Sequence, residues 1–304
     1  MKSHYSLHTF LFLAVLLCLQ IPTQAQELPD GFVATQVATG MTSVTRMELL
    51  PDGRILVLEQ SGKVRVIENG VLRSTPYLTV DADSFSEHGL LGITLDPNFA
   101  TNKFFYLYYT AKTPTPHNRV SRFIAGPTVA DPASEVIIFE LDNSVGPLGW
   151  HQGGNLGFGQ DGKLYIAVGD DRNGANSQSF STTFGKILRI NSDGSIPSDN
   201  PFFFTTTGKY RAIWALGLRN PYTFAFAKAD GVRMLINDVG EETWEELNRG
   251  IAGANYGWPE TEGMTKDPRF QSPFYAYGHG FESNDVGCAV TGGTFYDPPT
   301  LQFP

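Results

Sequence analysis

Residues 149–171, GWHQGGNLGFGQDGKLYIAVGDD, decide how the rest of the chain is read. Leu164, Ile166 and Val168 alternate with Tyr165 and Ala167, a period of two rich in β-branched and aromatic residues. Gln160-Asp161-Gly162-Lys163 is a tight turn leading into that strand, which stops at two adjacent carboxylates, Asp170 and Asp171. Upstream lies the polar, glycine-rich cluster Trp150-His151-Gln152-Gly153-Gly154. If this cluster is extended and antiparallel to the strand, His151 meets Asp170, and the carboxylate fixes one imidazole tautomer and raises its basicity. The same pair also reads as a purely structural hydrogen bond.

The turn-strand-turn-strand unit recurs along the chain. Leu50-Pro51-Asp52-Gly53 precedes a strand at 55–58, and Ser61-Gly62 turns into 63–67. Leu95-Asp96-Pro97-Asn98 precedes 104–109 and then 119–123, and Phe158-Gly159-Gln160-Asp161-Gly162 precedes 164–168 and then 185–190. A fourth unit starts at Phe226 and leads to a strand at 232–236. The unit starts Leu50, Leu95, Phe158 and Phe226 lie 45, 63 and 68 residues apart, a recurrence that fits propeller blades better than a β-sandwich. A further strand is expected at 32–37, loops at 173–183 and 197–208, and a short helical turn at 244–249. With 32 glycines, 19 prolines and 12% aromatic residues, the expected class is all-β.

Residues 1–25 read as a signal peptide, leaving 26–304 as the propeller domain. Lys2 precedes an apolar run over 10–19, and Thr23-Gln24-Ala25 ends in a small residue. The run is too short to span a bilayer, so no membrane span is expected and the protein reads as exported, periplasmic or extracellular. Cleavage removes Cys18 and leaves Cys288 alone, which excludes an internal disulfide; Cys288 reads as a buried thiol. The formal charge of -9, with no basic run, argues against nucleic acid as a partner.

Six motifs in order resemble the glucose/sorbosone dehydrogenase family: Glu59-Gln60 with Gly62-Lys63-Val64-Arg65-Val66, His88-Gly89-Leu90-Leu91-Gly92, His151-Gln152-Gly153-Gly154, Gly169-Asp170, Gly217-Leu218-Arg219-Asn220-Pro221, and Asn255-Tyr256-Gly257-Trp258-Pro259. The resemblance implies a six-bladed β-propeller, incomplete here at its C-terminus, because the family's later lysine and arginine contacts have no counterpart before Pro304. It implies oxidation of an aldose at the anomeric carbon to a lactone with pyrroloquinoline quinone (PQQ) and Ca2+ as cofactors, a small-molecule sugar as substrate and an exogenous electron acceptor. His151 matches the general base and Asp170 its orienting acid. Gln60, Arg219 and Asn220 match cofactor contacts; an arginine beside the quinone oxygens would stabilise the negative charge that develops there. Gly240 and Glu241 match backbone ligands of the cofactor's calcium, while Glu246 and Tyr256 match a second, structural calcium site. Glu241 departs from the proline that the glucose dehydrogenases carry. A non-catalytic interaction module and a calcium-dependent lactonase on a similar propeller are the other readings.

Overall fold

The computed structural model describes residues 28, 30–144, 146, 148–227, 234–279 and 287–296. The expected signal peptide lies outside them. Within these residues the chain forms four antiparallel sheets, taken up strictly in sequence order. The first holds β1 (Val44–Leu49), β2 (Ile55–Glu59), β3 (Lys63–Glu68) and β4 (Val71–Leu72), with β5 (Leu78–Thr79) also paired to β3. The second holds β6 (Leu90–Leu95), β7 (Phe104–Ala111), β8 (His117–Ile124) and β9 (Val136–Asn143). The third holds β10 (Leu156–Phe158), β11 (Leu164–Val168), β12 (Lys186–Ile190) and β13 (Ile213–Leu216). The fourth holds β14 (Pro221–Phe226), β15 (Met234–Asp238), β16 (Trp244–Arg249) and β17 (Tyr275–Gly278).

The recurring turns work through one device. An aspartate side chain accepts the main-chain N–H two residues on: Asp52 Oδ1 from Arg54 at 3.1 Å, Asp96 Oδ1 from Asn98 at 2.8 Å, and Asp161 Oδ1 from Lys163 at 3.1 Å. Strands then bury both faces, because the sheets stack face to face. Phe105, Leu107 and Tyr109 of β7 join Leu56, Leu58, Val64 and Val66 in one core, while Tyr106 and Tyr108 turn to the other side and pack with Leu164 and Ile166. Tyr165 and Ala167 of β11 face a third core with Trp214, Phe224 and Ile236. Each strand's two faces therefore serve two different interfaces, which is the packing of propeller blades.

Among the described residues there are four sheets, not the six of the propeller type that the resemblance implies. Each of the four repeated sequence units supplies one sheet, the described strands running from Val44 to Gly278. No strand forms at 32–37. Residues 244–249 form strand β16 rather than a helical turn, since pairing on both sides, with β15 and β17, outweighs the helix propensity of its Glu and Leu residues. A single helical turn, Ala175–Gln178, interrupts the expected loop at 173–183. Cys288 is exposed, not buried. Among the described residues no helix is long and apolar enough to cross a membrane.

Candidate active site

In an antiparallel pair the start of the first strand and the end of the second lie at the same edge. The segments before β6, β10 and β14 and those after β2, β11 and β15 therefore converge on one rim of the assembly. That rim carries Gln60, Glu87, His151, Asp170, Arg219, Asn220 and Asp238.

His151 sits on this rim and is only 7% exposed. Its Nδ1 stands 2.7 Å from Asp170 Oδ1. Asp170 is buried, and its carboxylate also accepts the main-chain N–H of Arg172 at 2.8 Å and the Trp258 indole N–H at 2.8 Å. A carboxylate so furnished keeps the imidazole proton on Nδ1 and leaves Nε2, which has no partner among the described residues, as the basic nitrogen. The backbone of His151 is left-handed, φ +59°, and its N–H is held by Glu87 Oε2 at 2.7 Å. Gly169 makes room for this loop: an added Cβ there would stand 2.0 Å from the His151 carbonyl oxygen.

Arg219 and Asn220 are locked to the same centre. The Arg219 carbonyl accepts the Asp170 N–H at 2.8 Å, and Asn220 Oδ1 accepts Gly153 N–H at 3.2 Å. Both residues donate their main-chain N–H groups to the buried carboxylate of Asp238, at 3.0 and 2.7 Å. The Arg219 guanidinium gives Nη1 to the Val239 carbonyl at 3.1 Å and lies 5.5 Å from the Trp258 ring. Its Nε is buried and has no acceptor among the described residues. Gln60 donates to the carbonyls of Ser86 and His88 at 2.6 and 2.7 Å and lines a cavity of about 190 Å3 with Thr45, Glu87, Gln152, Gly153 and Tyr222, residues drawn from all four sheets.

The expected calcium positions are less uniform. The Gly240 and Glu241 carbonyls accept no hydrogen bond among the described residues, and the Glu241 N–H is held by Glu262 Oε1 at 2.7 Å. Glu246 accepts Gly263 N–H at 2.6 Å and Asn248 Nδ2 at 3.0 Å; burial raises its carboxyl pKa to about 7. Asp238 is likewise pushed up, by burial first and by Glu246 second. Asn248 Oδ1, on the same amide, is buried without a donor. The Tyr256 hydroxyl is committed to the Arg249 carbonyl. Among the described residues no three His, Cys, Asp or Glu side chains stand grouped to hold a metal.

The structure brings His151, Asp170, Arg219, Asn220 and Gln60 to one rim. The sequence reading missed Glu87, which no local pattern marks, and the roles of Trp258 and Arg172 as ties to Asp170. Trp258 lies within a quoted motif, but its partner is in another sheet.

The family model for glucose/sorbosone dehydrogenase matches residues 41–298. The chain is 30% identical over 255 residues to quinoprotein glucose dehydrogenase B of Acinetobacter calcoaceticus, covering 74% of this chain and 52% of that protein. It is 31% identical over 225 residues to the aldose sugar dehydrogenase YliI of Escherichia coli, covering 70% of this chain and 58% of that protein. The PQQ-bound aldose sugar dehydrogenase of Streptomyces coelicolor superimposes with a TM-score of 0.72 at 29% identity, covering 82% of this chain and 72% of that one. The chain spans little more than half the length of these two curated relatives. With the match extending over most of its length and the motifs gathered at one rim, the chain belongs to the glucose/sorbosone dehydrogenase family.

Proposed function

We propose that this chain oxidises an aldose at its anomeric carbon to the lactone, with PQQ as the oxidant and with calcium. The observation that carries the reading is the buried His151–Asp170 pair with Nε2 left as the base. The donor set beside it fits an anionic quinone: the Arg219 Nε is a buried N–H in need of an acceptor, on a guanidinium fixed by Val239 and Trp258.

Bound there, the quinone would supply the acceptor for the hydride that leaves the sugar carbon. His151 Nε2 takes the proton of the anomeric hydroxyl. Asp170 keeps Nδ1–H in place and stabilises the imidazolium that results. Arg219 holds positive charge against the oxygens of the oxidant, and Asn220 fixes the glycine loop that carries His151, through Gly153. Gln60 braces the adjoining turn at 86–88.

Calcium fits the open carbonyls of Gly240 and Glu241, which would serve the cofactor. It also fits Glu246, whose neighbour Asn248 offers a buried oxygen without a donor. Tyr256 would contribute there through its main-chain carbonyl, since its hydroxyl is used. Export through the leader at 1–25 and an exogenous electron acceptor belong to the same reading.

Titration of the purified chain with PQQ and calcium, followed by the cofactor's absorbance, tests it. Saturable binding weakened by Arg219→Ala, with aldose-dependent dye reduction lost in His151→Ala, is expected. A folded chain that binds no PQQ would favour the interaction module.

A further inference from the structure

Against the turn that follows Asp170 lies a cavity of about 520 Å3 that the chemistry above leaves unused. Its volume is that of a small-ligand pocket, which runs to roughly 300–1,000 Å3. Its walls include Leu148, Arg172, Asn173, Asn176, Thr182 and Phe184, a mixture of apolar surface with amide, hydroxyl and guanidinium groups.

Arg172 is the cationic member of that wall. Asp171 and Arg172 both have left-handed backbones, φ +55° and +56°, and the Arg172 N–H is pinned on Asp170. This sends the side chain over Trp150, its guanidinium carbon 4.2 Å from the ring centroid. Stacking engages the flat face of the group, whereas its five N–H donors lie in the plane and point outward. Some arginines are matched with acids, such as Arg54 with Asp52, Arg119 with Glu140 and Arg189 with Asp161 and Asp199, while others, Arg122, Arg211 and Arg249 among them, lie over aromatic rings as Arg172 does. Arg172 pairs with no carboxylate among the described residues, in a chain with 31 acidic residues against 22 basic ones.

Asp171, on the same wall, does not supply the missing partner. Its Oδ1 accepts Ser144 Oγ at 2.6 Å and Gln152 Nε2 at 3.3 Å, and its Oδ2 accepts Gly146 N–H at 3.0 Å. Those bonds turn the carboxylate inward. The guanidinium, on an exposed residue stacked over Trp150, remains on the wall of that cavity.

We propose that this cavity receives the anionic substituent of a sugar, a carboxylate or a phosphate, with Arg172 as its specificity-determining contact and Asn173, Asn176 and Thr182 meeting the hydroxyls. The proposal rests on the sugar-oxidising reading for the carrier molecule alone.

Calorimetric titration of the quinone-free chain with glucose, glucuronate and glucose 6-phosphate tests it, with acetate and inorganic phosphate as bare anions. At least one anionic sugar is expected to bind about tenfold or more tighter than glucose, the scale of a charge-assisted bidentate contact. Whichever binds tighter identifies the substituent as carboxylate or phosphate. Arg172→Ala should erase the preference, Arg172→Lys restore part of it, and added salt weaken it. Equal affinity for all three sugars, no binding of any, a preference that survives Arg172→Ala, or bare anions binding as tightly as the anionic sugars would overturn the proposal. PQQ titration of the same samples reads the proposed function separately. Quinone binding without an anion preference sinks only this inference, and the reverse result sinks only the dehydrogenase.

Discussion

Trp258 donates its indole N–H to Asp170 Oδ2 at 2.8 Å across 88 residues of sequence, so the acid that orients His151 is itself oriented from the fourth sheet's loop. Asp170 reaches His151 through the other oxygen at 2.7 Å, and Trp258 also lies near the Arg219 guanidinium. One indole therefore ties the acid–base pair to the expected quinone contact. Trp258→Phe keeps the ring and removes only the N–H. We expect an unchanged fold by circular dichroism and a fall in kcat of roughly tenfold, the scale of one lost hydrogen bond to a charged group. Full activity in that variant would show that the bond does not orient Asp170.

Gly169 is the point where the His151 loop crosses the end of β11. An alanine methyl would stand 2.0 Å from the His151 carbonyl oxygen and 2.8 Å from Asn220 Oδ1. Neither atom is the end of a long flexible chain, so the loop must shift. Gly169→Ala should lower stability by roughly 1–3 kcal/mol in thermal melts, as overpacking does, and lower kcat beyond what that loss explains. A variant with wild-type melting would contradict the close approach.

Lys186 is fully buried, and its ammonium donates to the carbonyls of Asn176 at 2.7 Å, Ser177 at 3.1 Å and Phe184 at 2.6 Å. These bonds hold the 175–184 segment, from which Asn176 Nδ2 supports the Asp170 carbonyl at 2.9 Å. Lys186→Met leaves the three carbonyls without their donor, and we expect a loss of about 2 kcal/mol or more.

The same residue sets a pH dependence. Burial pushes Lys186 down from 10.5 to about 7. Between those values the unfolded chain binds the extra proton, so native stability rises with pH from about 7 towards 10.5, with a limiting slope of about 1.4 kcal/mol per pH unit. Urea unfolding across that window should show the rise in wild type and its loss in Lys186→Met. Parallel curves would assign the rise to other groups.

Calcium should raise the melting temperature of the chain, and chelation should reverse it, if Glu246 and Asn248 close on a cation. Glu246→Gln should remove most of the calcium-dependent shift while leaving the sheet intact. Differential scanning calorimetry with calcium and with chelator checks this, and an identical shift in the variant would move the site elsewhere.

Strands β2, β7 and β11 are legible in the chain itself, because each comes after an aspartate-bearing turn, and β3, β8 and β12 are legible as the strands that follow them. The opening strands of the sheets are harder to read. In β6, Gly92 interrupts the pattern, and only the stacked structure shows why: an added Cβ would meet the Gly154 carbonyl oxygen at 2.0 Å. Strand β16 misleads, since Glu245 is buried against His279 Nδ1 at 2.7 Å, a partner that helix propensity does not anticipate.

His151 and Asp170 stand 19 residues apart around β10, a turn and β11, and an antiparallel reading of that stretch brings them together. Arg219, Asn220 and Gln60 followed from motif order. Glu87, the stacked Arg172 and the tie from Trp258 to Asp170 escaped notice. The sequence alone marked the repeating turns, the strands that follow them and the approach of His151 to Asp170, all of which depend on neighbours within about twenty residues. The tertiary structure decided what surrounds that pair. A hydrogen bond from Glu87 across 64 residues, or from Trp258 across 88, exists only once the sheets stack and bring their edges together.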